Sequence, residues 1–153
     1  LPMRRFWPVL ILICALHDVA AADPRNEVPA GTVRRHATEL RWQPGPASLP
    51  AGVETVVLEG DPRAAGLFSM RLRAPAGTRL APHTHPRPER VTVLSGAIAV
   101  GFGRRFDSAR LHVFGAGDYY ANPPQEPHFL EFVEASVIQV TAEGPWALDF
   151  VSP

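Results

Sequence analysis

Residues 77–96 read GTRLAPHTHPRPERVTVLSG, and the spacing within this stretch decides the fold. Gly77 is followed after five residues by His83-Thr84-His85, after three more by Glu89 and after a further six by Gly96. On a strand, side chains at i and i+2 share a face, so His83 and His85 point one way and Thr84 the other. Pro82 and Pro86 bias the residues before them, Ala81 and His85, toward extended backbone, which holds the geometry in which two imidazoles converge. After a turn at Arg87-Pro88, Glu89 opens the next strand, and its carboxylate can close a third side of a metal site. Glu89 has a second reading, as a solvent-facing charge paired with Arg87 or Arg90.

A fourth ligand is offered downstream, where residues 117–129 read GDYYANPPQEPHF. Glu126 precedes a proline and is held extended, so His128 leaves the turn on a strand with Leu130 and Phe132 on its own face. That face is expected to line an interior. His83, His85, Glu89 and His128 are therefore the expected metal ligands. His36 and His112, each alone in its segment, are expected to be surface or core residues.

Around these segments, short β-rich runs alternate with turn residues. Strands are expected near 54–58, 67–73, 82–85, 89–94, 98–102, 111–114, 119–121, 128–133, 137–141 and 146–151. Breaks fall at Gly60-Asp61-Pro62, Ala76-Gly77, Ser95-Gly96, Gly115-Ala116-Gly117 and Asn122-Pro123-Pro124. Phe68, Met70 and Leu72 alternate with Ser69, Arg71 and Arg73, the pattern of a strand with one buried and one wet face. No long helical period and no internal repeat is present, so the expected class is all-β.

The two histidine-bearing segments together resemble the cupin superfamily, over Gly77 to Phe129. The first motif is matched at each defining position. The second keeps Gly117, Pro123 and His128 but has Gln125 where the family usually has Gly and Phe132 where it often has Asn. The chain as a whole is similar to small single-domain bacterial cupins of the type-2 kind. The resemblance implies a jelly-roll β-barrel, or double-stranded β-helix. As a single domain it would span 53–153, with an extended arm over 23–52 anchored by Leu40, Trp42 and Leu49. For the first half of that arm a solvated linker is an equal alternative.

The N-terminal residues 1–22 read as an export signal. Met3-Arg4-Arg5 is a charged start, Phe6 to Leu16 an apolar run too short to span a bilayer, and Ala20-Ala21-Ala22 a small-residue cleavage site. A periplasmic or secreted protein is expected, with no membrane attachment after cleavage. Cys14, the only cysteine, would leave with the signal, which removes disulfides and thiol catalysis.

Composition narrows the chemistry. Acidic and basic residues balance at 15 each, so no broad basic face invites nucleic acid. All the basic residues are arginine, which excludes Schiff-base and lysine general-base mechanisms. Three neutral imidazoles and one carboxylate suit one divalent ion. Fe or Mn is favoured where open octahedral positions are needed, and Zn, Ni, Co and Cu also bind such sets. The resemblance implies a metal-dependent enzyme acting on a small organic molecule, of dioxygenase, decarboxylase, isomerase or lyase type. The alternative is a non-catalytic small-ligand-binding or sensing cupin of the cell envelope. Expected pocket residues are Phe68, Met70, Tyr119, Gln125, Phe132 and Gln139, with Leu72 and Tyr120 as further candidates. The inward or outward facing of Gln139 turns on a one-residue register. A homodimer is compatible with this reading.

Overall fold

The computed structural model describes residues 27–152; the expected signal segment lies outside them. Residues 27–32 are exposed and contain a turn closed by the Thr32 amide on the Pro29 carbonyl at 3.1 Å. From Val33 onward the chain is a β unit. Its strands are β1 (Gln43–Pro44), β2 (Glu54–Glu59), β3 (Gly66–Ala74), β4 (Arg79–Thr84), β5 (Glu89–Ser95), β6 (Ala97–Phe102), β7 (His112–Gly115), β8 (Tyr119–Asn122), β9 (His128–Phe132), β10 (Ser136–Gly144) and β11 (Asp149–Phe150). The only helical turns among the described residues are short 3-10 turns at Ala37–Glu39 and Ser108–Arg110. No helix among them is long and apolar enough to cross a membrane.

The strands form two antiparallel sheets, ordered β1-β2-β3-β10-β5-β8 and β11-β4-β9-β6-β7. From β3 onward the chain alternates between the two sheets, apart from the β6–β7 hairpin, in the manner of a jelly roll. The period-two pattern read in β3 is real: Phe68, Met70 and Leu72 are buried while Arg71 and Arg73 face out. In β10 the buried residues Ile138, Val140 and Ala142 alternate with Val137, Gln139 and Thr141. These inner faces meet Val91 and Val93 of β5 and, from the second sheet, Leu80, Ile98, Val100, Leu130 and Phe132 in one core. Burial of apolar side chains between the two sheets is the main stabilising term.

Two strands differ from expectation. The strand expected over 82–85 runs from Arg79 to Thr84 and leaves His85 just beyond its end. The strand expected over 146–151 is shortened to Asp149–Phe150, because the Trp146 amide is taken by the Pro62 carbonyl at 2.7 Å rather than by a sheet partner. Within the segment expected to be an arm, Gln43–Pro44 pairs with the edge of β2, Arg73 lies over the Trp42 ring at 4.6 Å, and Leu49 is buried.

The pairing of β4 with β9 positions the site. Leu80 faces Leu130 and His83 faces His128, so β4 carries one residue more than β9 between these two pairs. The extra residue falls at Ala81-Pro82, where proline has no amide to give the ladder. A regular strand would send Leu80 and His83 to opposite faces. The bulge lets both point inward.

Two turn glycines separate backbone strain from crowding. Gly96, in the β5–β6 hairpin, has φ +74, and a Cβ there would collide with the Ser136 hydroxyl and the Ala135 carbonyl. Gly77 has φ +79, but a Cβ there meets nothing within 4 Å. Gly77→Ala should therefore cost about 1 kcal/mol, the penalty of a left-handed backbone alone. Gly96→Ala should cost at least about twice as much. Denaturant unfolding of both variants checks this, and equal costs would contradict the crowding argument.

Candidate metal centre

The bulged β4, the start of β5 and the start of β9 bring four polar side chains into the barrel interior. His83, His85, Glu89 and His128 are all buried. Ring centroids lie 4.9 Å apart for His83 and His85, 4.3 Å for His83 and His128, and 5.1 Å for His85 and His128. One ring nitrogen from each comes within 4.8 Å of the others, a grouping that can hold a metal ion. Glu89 stands beside two of the three, with Oε2 3.3 Å from His85 Nε2 and 3.7 Å from His128 Nε2. It is not a surface charge paired with Arg87 or Arg90: Asn122 Nδ2 donates to it at 3.1 Å in a buried contact.

The hydrogen bonds decide which nitrogen each imidazole offers. His83 Nδ1 donates to the Ala81 carbonyl at 2.7 Å, His128 Nδ1 to the Glu126 carbonyl at 3.1 Å, and His85 Nδ1 to the Ala147 carbonyl at 2.7 Å. A carbonyl only accepts, so each Nδ1 carries the hydrogen, and in the neutral ring Nε2 keeps its lone pair. Nε2 of His85 and of His128 is buried with no hydrogen-bond partner. Unpartnered buried nitrogens are costly, and here they face one another and a carboxylate. That donor set fits a divalent cation, with main-chain carbonyls as the outer partners that orient each ring.

Burial governs the protonation of the site. The His83 imidazole is held down to about 3, first by burial and next by the neighbouring His128. Burial also lowers His128. In His85 burial pulls the same way, but the Glu89 carboxylate, joined by the Ala147 carbonyl and Asp149, outweighs it and raises the value. Glu89 is lowered in turn, because its histidine neighbours, His85 first, more than offset its own burial. At neutral pH at least two of the three imidazoles therefore present lone pairs beside a carboxylate.

A cavity of about 20 Å3 adjoins the site. Leu72, Leu80, Val91, Leu130, Phe132 and Ile138 form apolar parts of its wall, with His83, His85 and Glu89 at the polar end. Trp146 closes one side, stacked on His85 with ring centroids 5.0 Å apart and planes 16° from parallel. Tyr120 also lines the cavity, and its hydroxyl is buried without a partner. Burial, and after it the charge of Glu89, pushes that hydroxyl well above the ordinary tyrosine range, so it stays protonated. Leu49 and Trp146 separate the cavity from a groove of about 370 Å3 that is bordered by Met70.

With this geometry in place the sequence can be set beside known proteins. The pattern of the ChrR Cupin-like domain is matched over residues 30–147, more than half of the chain. The chain belongs to that family. None of the curated proteins compared matches it. Among solved structures, the cupin is similar to a suggested acetylacetone dioxygenase from Methylibium petroleiphilum PM1, at 24% identity and TM-score 0.62 over 83% of this chain and 87% of that one. An acetylacetone dioxygenase from Acinetobacter johnsonii aligns at 19% identity and TM-score 0.61, over 80% and 79%. The polyketide cyclase RemF from Streptomyces resistomycificus aligns at 19% identity and TM-score 0.56, over 78% and 86%. At these identities the likeness is one of fold.

Of the residues expected to line the pocket, Phe132 does so, as do the further candidates Leu72 and Tyr120. Phe68 is fully buried in the core, edge-on to Trp146, and Met70 borders the outer groove. Three others lie off the cavity wall. Tyr119 is 56% exposed, because β8 turns Tyr120 and Asn122 inward instead. Gln139 lies on the outer parity of β10 and accepts from Arg71 Nε at 3.2 Å. Gln125 is exposed with φ 62, and its amide donates to the His85 carbonyl at 2.9 Å. That left-handed backbone is what glycine most readily adopts, which accounts for the glycine of the general cupin pattern at this point. Sequence reasoning missed Trp146 and Asn122 and did not separate Tyr120 from Tyr119. The parity of β8 held the signal for Asn122 and Tyr120, whereas nothing periodic announced Trp146.

The protonation pattern makes stability depend on pH. A histidine lowered below its unfolded 6.5 contributes stability that is full above 6.5 and is lost as pH falls toward the folded value, here about 3 for His83. His128 acts in the same sense, and the lowered Glu89 loses its contribution as pH falls through its own folded value. His85 alone opposes, since the contribution of a raised histidine is present below 6.5 and lost as pH rises through its folded value. The thermal midpoint of metal-free protein should thus fall as pH is lowered from 6.5 toward 3. Calorimetry across that interval measures it, and a flat profile would show that the imidazoles are not held neutral.

Proposed function

We propose that this cupin is a metal-dependent enzyme acting on a small organic molecule, with His83, His85, His128 and Glu89 holding one divalent ion, Fe or Mn by preference. The observation that carries the reading is the pair of buried, unpartnered Nε2 atoms on His85 and His128, each on a ring whose Nδ1 is tied to a main-chain carbonyl. A bound ion would supply Lewis-acid or redox chemistry at the polar end of the cavity. Asn122 orients Glu89, Trp146 holds the His85 ring by its face, and Leu49 with Trp146 shields the site from the outer groove. An acetylacetone dioxygenase, a second protein suggested to be one and a polyketide cyclase among the structural neighbours give small oxygen-bearing organic molecules as the first substrates to try.

A second reading, a small-ligand-binding or sensing cupin without turnover, is favoured by the volume of the cavity, about 20 Å3, which admits little more than water. Turnover of any substrate by the metal-loaded protein separates the two. On either reading the four ligands bind metal. His85→Ala and His128→Ala should each weaken metal affinity at least about tenfold and keep the β circular dichroism signal, since a core of this kind does not depend on the ion. Retained metal in both variants would overturn the site, and loss of the β signal would make it structural.

We also propose export to the periplasm or exterior, on the order of charge, apolar run and alanine triplet in residues 1–22. N-terminal sequencing of the protein from its native host should begin near Asp23. A chain that retains Met3 would overturn export with cleavage.

A further inference from the structure

Tyr120 presents a buried hydroxyl with no function assigned to it. It sits on β8 opposite Val91, two residues before Asn122, which faces Glu89 across the same strand pair. Alternate residues share a face, so Tyr120 projects to the same interior side as Asn122. Its ring packs against Phe114 with centroids 4.9 Å apart, and the residue is 8% exposed. The hydroxyl is buried without a hydrogen-bond partner, in a side chain that lines the same cavity as His83, His85 and Glu89. A hydroxyl left in this state costs stability that a phenylalanine would not. The cost is offset when a molecule in the cavity accepts the hydrogen bond.

The charge and size of the cavity define that molecule. A divalent ion with three neutral imidazoles and one carboxylate retains about one positive charge, which favours a monoanion. The donor is neutral and in want of a lone pair, which favours oxygen. About 20 Å3 holds little more than one water-sized group, which favours a ligand that enters by a single oxygen. We propose that Tyr120 is the ligand-recognising donor of this centre, its hydroxyl giving a hydrogen bond to one oxygen of a small carboxylate or enolate held beside the metal. This rests on the metal-centre reading above.

The test uses the whole protein with two metals and acetate as probe. Tyr119 and Tyr120 are the only tyrosines, and Tyr119 is 56% exposed, so ring-labelled protein gives one buried and one exposed tyrosine signal. In the Zn(II) form, acetate should move the carbon signal next to the buried hydroxyl, identified by its absence from Tyr120→Phe, and leave the Tyr119 signal in place. In the Co(II) form, Tyr120→Phe should bind acetate about tenfold more weakly by visible absorption, while metal affinity is unchanged and the melting temperature is equal or higher. Equal acetate affinity in wild type and variant, or an unmoved Tyr120 signal, overturns the assignment and leaves the metal centre intact. Loss of metal or of stability in the variant makes Tyr120 structural and overturns it too. Wild-type protein that takes up neither Co(II) nor Zn(II) overturns both readings together.

Discussion

Three imidazoles packed inside an apolar barrel must each find a partner for the hydrogen on one nitrogen, and the rest of this site follows from where those partners lie. All three are main-chain carbonyls. Two are local, since His83 and His128 each donate to the residue two positions earlier, Ala81 and Glu126. Those carbonyls are exposed to the rings because proline at 82 and at 127 breaks the regular ladder just before each histidine. The same proline-marked irregularity that bulges β4 and aims His83 inward thus also sets its tautomer. Sequence, backbone geometry and ligand chemistry coincide at these two positions.

The third partner is not local. His85 donates to Ala147, sixty-two positions later, and it stacks on Trp146. This explains what could and could not be read from the sequence. His83, the glutamate and the second-motif histidine lie on strands whose period is two, and His85 follows one residue past the end of β4, so their convergence was legible in the spacing. The core faces of β3 and β9 were legible for the same reason. Trp146 lies in a loop with no period, and its contact with His85 exists only once the chain has returned from β10. Gln139 depended on the register of β10 and was undecidable until the pairing Arg71 with Gln139 placed it outside. Tyr119 and Tyr120 are adjacent and chemically alike, so only the parity of β8, set by the pairing of Asn122 with Glu89, tells them apart.

The bulge in β4 could not be located in advance, although its cause was in view. Pro82 was read as enforcing extended backbone, which it does, but its missing amide also releases β4 from β9 for one residue. A strand reading beginning at Pro82 consequently missed the three residues before it. Arg79 and Leu80 pair with Glu131 and Leu130 on the far side of the irregularity. Leu80 belongs to the cavity wall for that reason.

The loop that carries Trp146 ties entry to the metal site. Trp146 and Leu49 stand between a cavity of about 20 Å3 and a groove of about 370 Å3. Joining the two requires one of them to move. Trp146 is the more constrained, because its amide is held by the Pro62 carbonyl, its ring lies on His85, and the next residue supplies the acceptor of His85 Nδ1. Displacing its backbone would take the orienting carbonyl away from the histidine, and displacing its ring would uncover the face of the same imidazole. Leu49 is tied too, its amide on the Pro46 carbonyl at 2.8 Å, but that bond lies within its own turn, and its side chain packs in the apolar core. The cheaper opening therefore runs through Leu49, in the segment ahead of β2, and leaves the three histidines undisturbed.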